Sequence, residues 1–217
     1  VYYVRHRYGH HAAASGYDRL CDYTGETIRL SKGLYWLGET LLRLPALAVS
    51  KTSGHFEYSR YDFVMELEVV RHFLSHHNSV YHFVYGEKSY HLLSRFAGRN
   101  GNKIVVTIHH PPEHSAWLFR SFDHFKQVDF VTVVSRAMIP FWSQVVGVDR
   151  VAYVPYAVDT GYFVPADKRE EGRPYRCIFI GYHERDFDHL PRLVSRILGD
   201  LPEAEFLMVS PDERCRA

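Results

Sequence analysis

The sequence has little cysteine, hardly any net charge and no long uninterrupted apolar run, and each shortage removes a class of answer. Cys21, Cys177 and Cys215 are the three cysteines in 217 residues. They are odd in number, far apart and free of any CxxC pair, which suits a reducing interior better than a disulfide-stapled secreted domain. The 26 basic and 25 acidic side chains are interspersed and leave a formal charge of +1, so there is no broad electrostatic footprint for a nucleic-acid duplex. Residues 33–49 are strongly apolar, but Glu39, Arg43 and Pro45 interrupt them, and a bilayer needs about 20 apolar residues in one helix. Two readings stay open for that stretch: an ordinary core helix, or an interfacial helix in peripheral contact with a membrane. GxGxxG and HExxH are missing as well.

What is present centres on residues 103–113, KIVVTIHHPPE. Ile104 to Ile108 are apolar or β-branched without alternation, the pattern of a strand covered on both faces inside a parallel sheet. The run then stops at His109, His110, Pro111, Pro112 and Glu113. Two imidazoles and a carboxylate thus sit on a proline-stiffened loop at the carboxyl end of a central strand, the edge where open α/β sheets bind ligands. This places His109 in an active site.

The remaining chain alternates strand and helix. Residues 1–5 predict a strand, followed by a loop bracketed by Gly9 and Gly16 and a short helix from about Tyr17. Backbone N–H groups in such a turn suit an anion such as a diphosphate, with a plain tight turn as the alternative. A strand follows at 26–30. Phe63, Val64, Leu67, Val70, Phe73 and Leu74 recur at helical spacing over 61–77, with Ser59 and Asp62 as caps. Further strands are predicted at 79–85, 103–108, 128–134 and 151–155. Helices between them carry Leu92 and Leu93, then Trp117 to Phe125 behind a Ser115 cap, then a segment capped by Ser135. The fold class is therefore α/β, a parallel Rossmann-like sheet with helices on both faces.

Residues 166–175, ADKREEGRPY, read as a linker between an N-terminal domain, 1–165, and a fresh strand–helix–strand unit, 176–217. That unit is too small to stand alone and reads as a truncated second Rossmann-like domain. Length, an opening Val1 and the cut second unit together predict a fragment of a longer protein. Of the fifteen histidines, six fall in adjacent pairs, His10 with His11, His76 with His77 and His109 with His110. For His76 and His77 a helix end is explanation enough, because its dipole favours an imidazolium.

Order and motifs together resemble the family 4 glycosyltransferases of the two-Rossmann-domain, or GT-B, architecture, over most of the chain. VTIH is similar to the family strand that ends in an active-site histidine, here His109. VVSRAM, with Ser135, looks like the strand-to-helix step before the linker. In VAYVPYAVDTGYFVP, Pro155, Val158, Asp159, Phe163 and Pro165 match the signature that closes the first domain. RCIFIGYHERD resembles the first strand of the donor domain. The departures are Tyr156 and Ala157 in place of Asn-Gly, Tyr182 where Arg is common, and Ser15-Gly16 in place of Gly-Gly.

The resemblance implies transfer of a sugar from a nucleotide-sugar donor, with retention of configuration, no essential metal and no cofactor besides the donor as substrate. It implies His109 as the catalytic residue and Ser15, Gly16, Gly181, Tyr182 and Arg185 on the donor. His10, His11, Tyr85, Glu87, His110 and Glu113 are the acceptor-side candidates, because polar groups at strand ends bind sugar hydroxyls. For Glu87 and Glu113 the alternative is an acid complementing a helix dipole. The acceptor is a glycan, a lipid-linked molecule or a small molecule. A cytoplasmic location is expected, with the inner face of the membrane as the site of any contact through 33–49. Two other functions stay open: a non-catalytic sugar- or nucleotide-binding module, and a metal-dependent hydrolase using the histidine clusters.

Overall fold

A computed structural model describes residues 1–5, 17–28, 33, 36, 41–165, 174–181 and 186–210. Their contacts separate two compact units, Val1–Phe163 and Val164–Ala217. The first is an α/β unit built on six parallel strands: β1 (Tyr2–Val4), β2 (Glu26–Ile28), β3 (Val80–Phe83), β4 (Lys103–Ile108), β5 (Phe130–Val133) and β6 (Val151–Tyr153). Their order across the sheet is β2-β1-β3-β4-β5-β6. The sequence therefore builds outward from β1 to β2, turns back past β1 to β3, and then only adds strands on that side.

The helices of this unit are α1 (Arg43–Ser53), α2 (Arg60–Ser75), the single turn α3 (Gly86–Ser89), α4 (Pro112–Leu118) and α5 (Ile139–Val146). Helix α2 begins with a complete capping box. The Ser59 hydroxyl accepts from the Asp62 N–H, and the Asp62 carboxylate accepts from the Ser59 N–H at 2.9 Å. Its apolar face, Met65, Val69, Val70 and Phe73, packs on Tyr81, Phe83, Ile104 and Val106 of the sheet. Phe125, Trp142 and Val146 extend the same core under β4 and β5.

Two sequence expectations change here. The run at 104–108 is not covered equally on both faces: Ile104, Val106 and Ile108 are fully buried, whereas Val105 and Thr107 are half-buried. Period-2 alternation is present in burial although it is absent in polarity, because the second face borders a cavity. Nor does Ser115 cap a helix. Pro111 and Pro112 occupy the N-cap and first position of α4, where proline's fixed φ and missing N–H fit, which leaves Ser115 buried one turn inside. That helix ends at Leu118, so Phe122 and Phe125 follow on irregular chain and a 3-10 turn.

A buried carboxylate ties α2 to the loop after β3. Glu66 is fully buried and accepts from the N–H groups of His91, Leu92 and Leu93 at 2.6–3.0 Å, and from the Tyr58 hydroxyl. Its oxygens thereby satisfy the free N–H groups at the start of the Leu92–Phe96 3-10 helix, which has no side-chain cap of its own. At the next turn, a Cβ on Gly86 would lie 2.7 Å from the Val106 Cβ, so only glycine lets the β3–α3 turn rest on β4.

The second unit is a parallel pair, β7 (Arg176–Ile180) and β8 (Glu205–Val209), joined through α6 (Leu190–Asp200) and separate from the first sheet. Ile178, Ile180, Leu207 and Val209 are exposed in it.

Two predictions follow from the buried polar groups. Glu66→Ala strands three N–H groups and a phenol and should destabilise the first unit by about 3–5 kcal/mol, read by denaturant unfolding, with Glu66→Gln intermediate. The second concerns pH. Burial lowers His55, His82 and His109 to about 4 and His124 to about 3, so their stabilising neutral state is lost as pH falls from the unfolded value near 6.5. Burial raises Glu66 to about 7 and Glu87 to about 8, so stability is lost as pH rises from the unfolded carboxylate range through those values. The melting temperature should therefore peak near about pH 6.5 and decline toward pH 8. Glu87→Gln should flatten the alkaline decline; an unchanged decline in that variant would sink the assignment.

Candidate functional site

The reversal in strand order fixes where the site lies. A crossover in a parallel sheet is right-handed, so reversing the direction of travel across the sheet moves the connection to the opposite face. Helices α2 and α5 and the core they bury lie on the Val4, Phe83, Val106 and Val133 face. The described part of the β1–β2 connection, its 3-10 helix Tyr17–Asp22, lines the other. That second face encloses a cavity of about 430 Å3 at the carboxyl ends of the strands, beside the switch point between β1 and β3.

The cavity floor is a row of side chains of one parity: Tyr3 from β1, His82 from β3, Thr107 from β4 and Thr132 from β5. Register places Tyr3 beside His82 and Thr107 beside Thr132. His82 Nε2 lies 2.7 Å from Thr107 Oγ1, which lies 2.7 Å from Thr132 Oγ1, and Thr132 reaches the Val106 carbonyl at 3.4 Å. A carbonyl only accepts, so the chain runs one way: His82 Nε2–H donates to Thr107, Thr107 to Thr132, and Thr132 to the carbonyl. Burial holds His82 neutral.

His109 continues this face, two residues beyond Thr107, and lines the cavity. Its Nε2–H donates to the Val84 carbonyl at 2.7 Å, which fixes the tautomer and leaves Nδ1 to accept from the Tyr156 hydroxyl at 3.3 Å. Burial, opposed by the bond to Val84, sets its pKa at about 4. His109 is therefore a neutral acceptor at neutral pH. Its ring stacks on Tyr17 at 4.6 Å, and Tyr17 stacks on Tyr156 at 4.1 Å. Segments from three distant parts of the chain thus meet in one aromatic pile.

The outer wall is Pro155 to Thr160. Asp159 holds it: its carboxylate accepts from the Gly161 and Tyr162 N–H groups, from the Tyr23 hydroxyl at 3.0 Å and from Arg19 at 3.4 Å. Arg19 also pairs with Asp22 at 2.8 Å. Cys21 lines the cavity too, its thiol pushed up to about 12 by burial, so it is no thiolate nucleophile at neutral pH.

The other expected site residues scatter. Tyr85 packs on His109 at 4.9 Å but stands outside the cavity lining. Glu87 is fully buried behind it, in the first turn of α3. His110 stacks on His114 at 4.1 Å away from the cavity, and Glu113 is exposed in the first turn of α4. Gly181 belongs to the second unit, at φ +98°, and its N–H donates to the Val209 carbonyl at 2.9 Å. His10, His11, Ser15, Gly16, Tyr182 and Arg185 lie outside the described residues. Among the described residues no group of three or more His, Cys, Asp or Glu side chains is arranged to hold a metal ion.

Sequence reasoning missed the floor. His82, Thr107 and Thr132 sit two residues before Val84, His109 and Val134, so period-2 spacing back from the strand ends would have found them. Tyr17 carries no local signal, and Tyr156 drew notice only as a departure from a motif.

No family model matches the chain, and no curated protein is matched by it. Among solved structures, the Glycosylation Associate Protein (Gap123) complex from Streptococcus agalactiae is similar with a TM-score of 0.41 and 8% sequence identity, over 71% of this chain and 31% of that one. The chain thus spans about a third of the length of that neighbour.

Proposed function

We propose that the chain is the acceptor-side lobe and the beginning of the donor-side lobe of a family 4-like glycosyltransferase, which moves a sugar from a nucleotide-sugar donor to a hydroxylated acceptor. The observation that carries the reading is the position of His109. It is a neutral imidazole at the end of β4, on the floor of a cavity beside the switch point, and residues 154–160, part of the segment that resembles the family signature, line the cavity wall.

Breaking the bond between sugar and diphosphate places negative charge on the leaving phosphate and positive charge on the sugar ring, and a catalyst must stabilise both more strongly than bound substrate. In this reading His109 Nδ1, released from Tyr156, accepts a sugar hydroxyl and orients the ring. The hydroxyls of Thr107 and Thr132 face the same space. Ser15, Gly16, Gly181, Tyr182 and Arg185 are assigned to the donor phosphates, and His10, His11, Tyr85, Glu87, His110 and Glu113 to the acceptor side. The proposal takes transfer to be retaining and cytoplasmic, with no metal and no cofactor beyond the donor.

Two observations favour a second reading, a binding module without turnover. Both nitrogens of His109 already have partners, and the Gly181 N–H is donated to Val209 rather than left free for a phosphate. Turnover separates the two. The full-length protein should hydrolyse or transfer from at least one of a panel of nucleotide sugars, and His109→Ala should lower the rate by about 100-fold or more. Binding of a nucleotide diphosphate without any turnover would establish the module instead, and a wild-type rate in His109→Ala would remove that residue from the chemistry.

A further inference from the structure

The outward side of α1 forms a surface that neither the sheet nor the cavity uses. At 100° per residue, Leu42, Ala46 and Val49 fall together, and they pack on the cluster of Tyr58, Phe63 and Val64. Arg43, Leu44, Leu47, Ala48 and Lys51 fall on the opposite side and are exposed. Leu44 is 78% exposed, and Leu41 just ahead of the helix 71%. Apolar residues on both sides of one helix exceed what packing against α2 requires.

A second exposed apolar group lies just past the helix C-terminus. Gly54, at φ 68°, ends α1, and the chain then lays Phe56 against Trp117, ring centroids 5.9 Å apart, with both rings more than half exposed. The Arg120 guanidinium stands 5.2 Å over the Phe56 ring. Backbone bonds from Phe56 N–H to the Leu118 carbonyl and from Arg120 N–H to the Gly54 carbonyl fix this aromatic pair to the end of the helix.

Charge selects the occupant. Helix α1 carries Arg43 and Lys51 and no carboxylate, and Arg120 adds a third cation beside the aromatic pair; of the carboxylates near that pair, Glu57 is bound to Lys88 at 2.7 Å and Glu113 is exposed one turn before Trp117. Leucine, tryptophan and phenylalanine interleaved with an excess of cations match the interface of an anionic bilayer, where long basic side chains lay their stems along apolar surface and keep their heads among phosphates. We propose that the outward face of α1, with Phe56 and Trp117, docks on an anionic lipid surface. Contact is peripheral, because no helix among the described residues is long and apolar enough to cross a membrane. The inference is independent of the sugar-transfer reading.

The test is cosedimentation of the full chain with vesicles of phosphatidylcholine alone, and with about 30% phosphatidylglycerol added. Binding is expected on the anionic vesicles only, weakening as salt is raised. Leu44→Ser combined with Leu47→Ser should lower the partition coefficient by about tenfold or more at an unchanged melting temperature. Arg43→Glu with Lys51→Glu, a pair that leaves every packed side chain in place, should abolish the preference for anionic lipid. Three results overturn the proposal: no cosedimentation of the wild-type chain, wild-type binding by the double serine variant, or a concentration-dependent dimer in sedimentation velocity that the serine variant abolishes, since a second copy would then cover the face.

Discussion

One constraint shapes everything else: the chain reverses its direction of travel once, after β2, and a right-twisted parallel sheet turns that reversal into a change of face. Every later crossover falls on the side of Val4, Phe83, Val106 and Val133, which is why α2 and α5 share one continuous core. The opposite side receives the short 17–22 helix and the wall at 155–160. A cavity on that side is the geometric remainder of the topology, and the residues facing it are free to be polar. Tyr3, His82, Thr107 and Thr132 are polar in consecutive strands, whereas their neighbours of opposite parity are Val4, Phe83, Val106 and Val133.

The same division governs electrostatics. Polar groups inside the first unit are neutral or held by fixed donors, because an unpaired charge there would be costly. Glu66 faces three backbone N–H groups and a phenol, and His109 and His82 each have a ring nitrogen held by a hydrogen bond. Six imidazoles depressed by burial and two carboxyls raised by it pull stability in opposite directions as pH changes. The unit is thus tuned to a narrow optimum by its interior rather than by its nearly balanced surface charge.

How much was legible in the residues depended on how local each signal was. The capping box of α2 and the parallel α/β alternation were readable because cap, period and breaker lie within a few residues of one another. The burial of β4 was misjudged because Val105 and Thr107 are β-branched, and such residues look alike whether they meet a helix or a cavity. The Ser115 cap failed for a related reason, since two prolines just upstream had already set the helix start. His109 drew attention by its place at a strand end, and it lines the cavity. The aromatic pile that surrounds it joins residues 17, 109 and 156, and no pattern within a window of sequence encodes such a meeting.

The lining also limits what the cavity can hold. Arg19 is the one Lys or Arg side chain among the described lining residues, and Asp22 and Asp159 already flank it at 2.8 and 3.4 Å. Two carboxylates about one guanidinium leave no surplus positive charge for a diphosphate. Hydroxyls, neutral imidazoles and tyrosine rings are instead suited to an uncharged, hydroxyl-bearing molecule, whose groups they can meet one by one. Within the sugar-transfer reading, this cavity therefore takes the sugar or the acceptor, and the phosphates must find their cations in residues other than those that line it here.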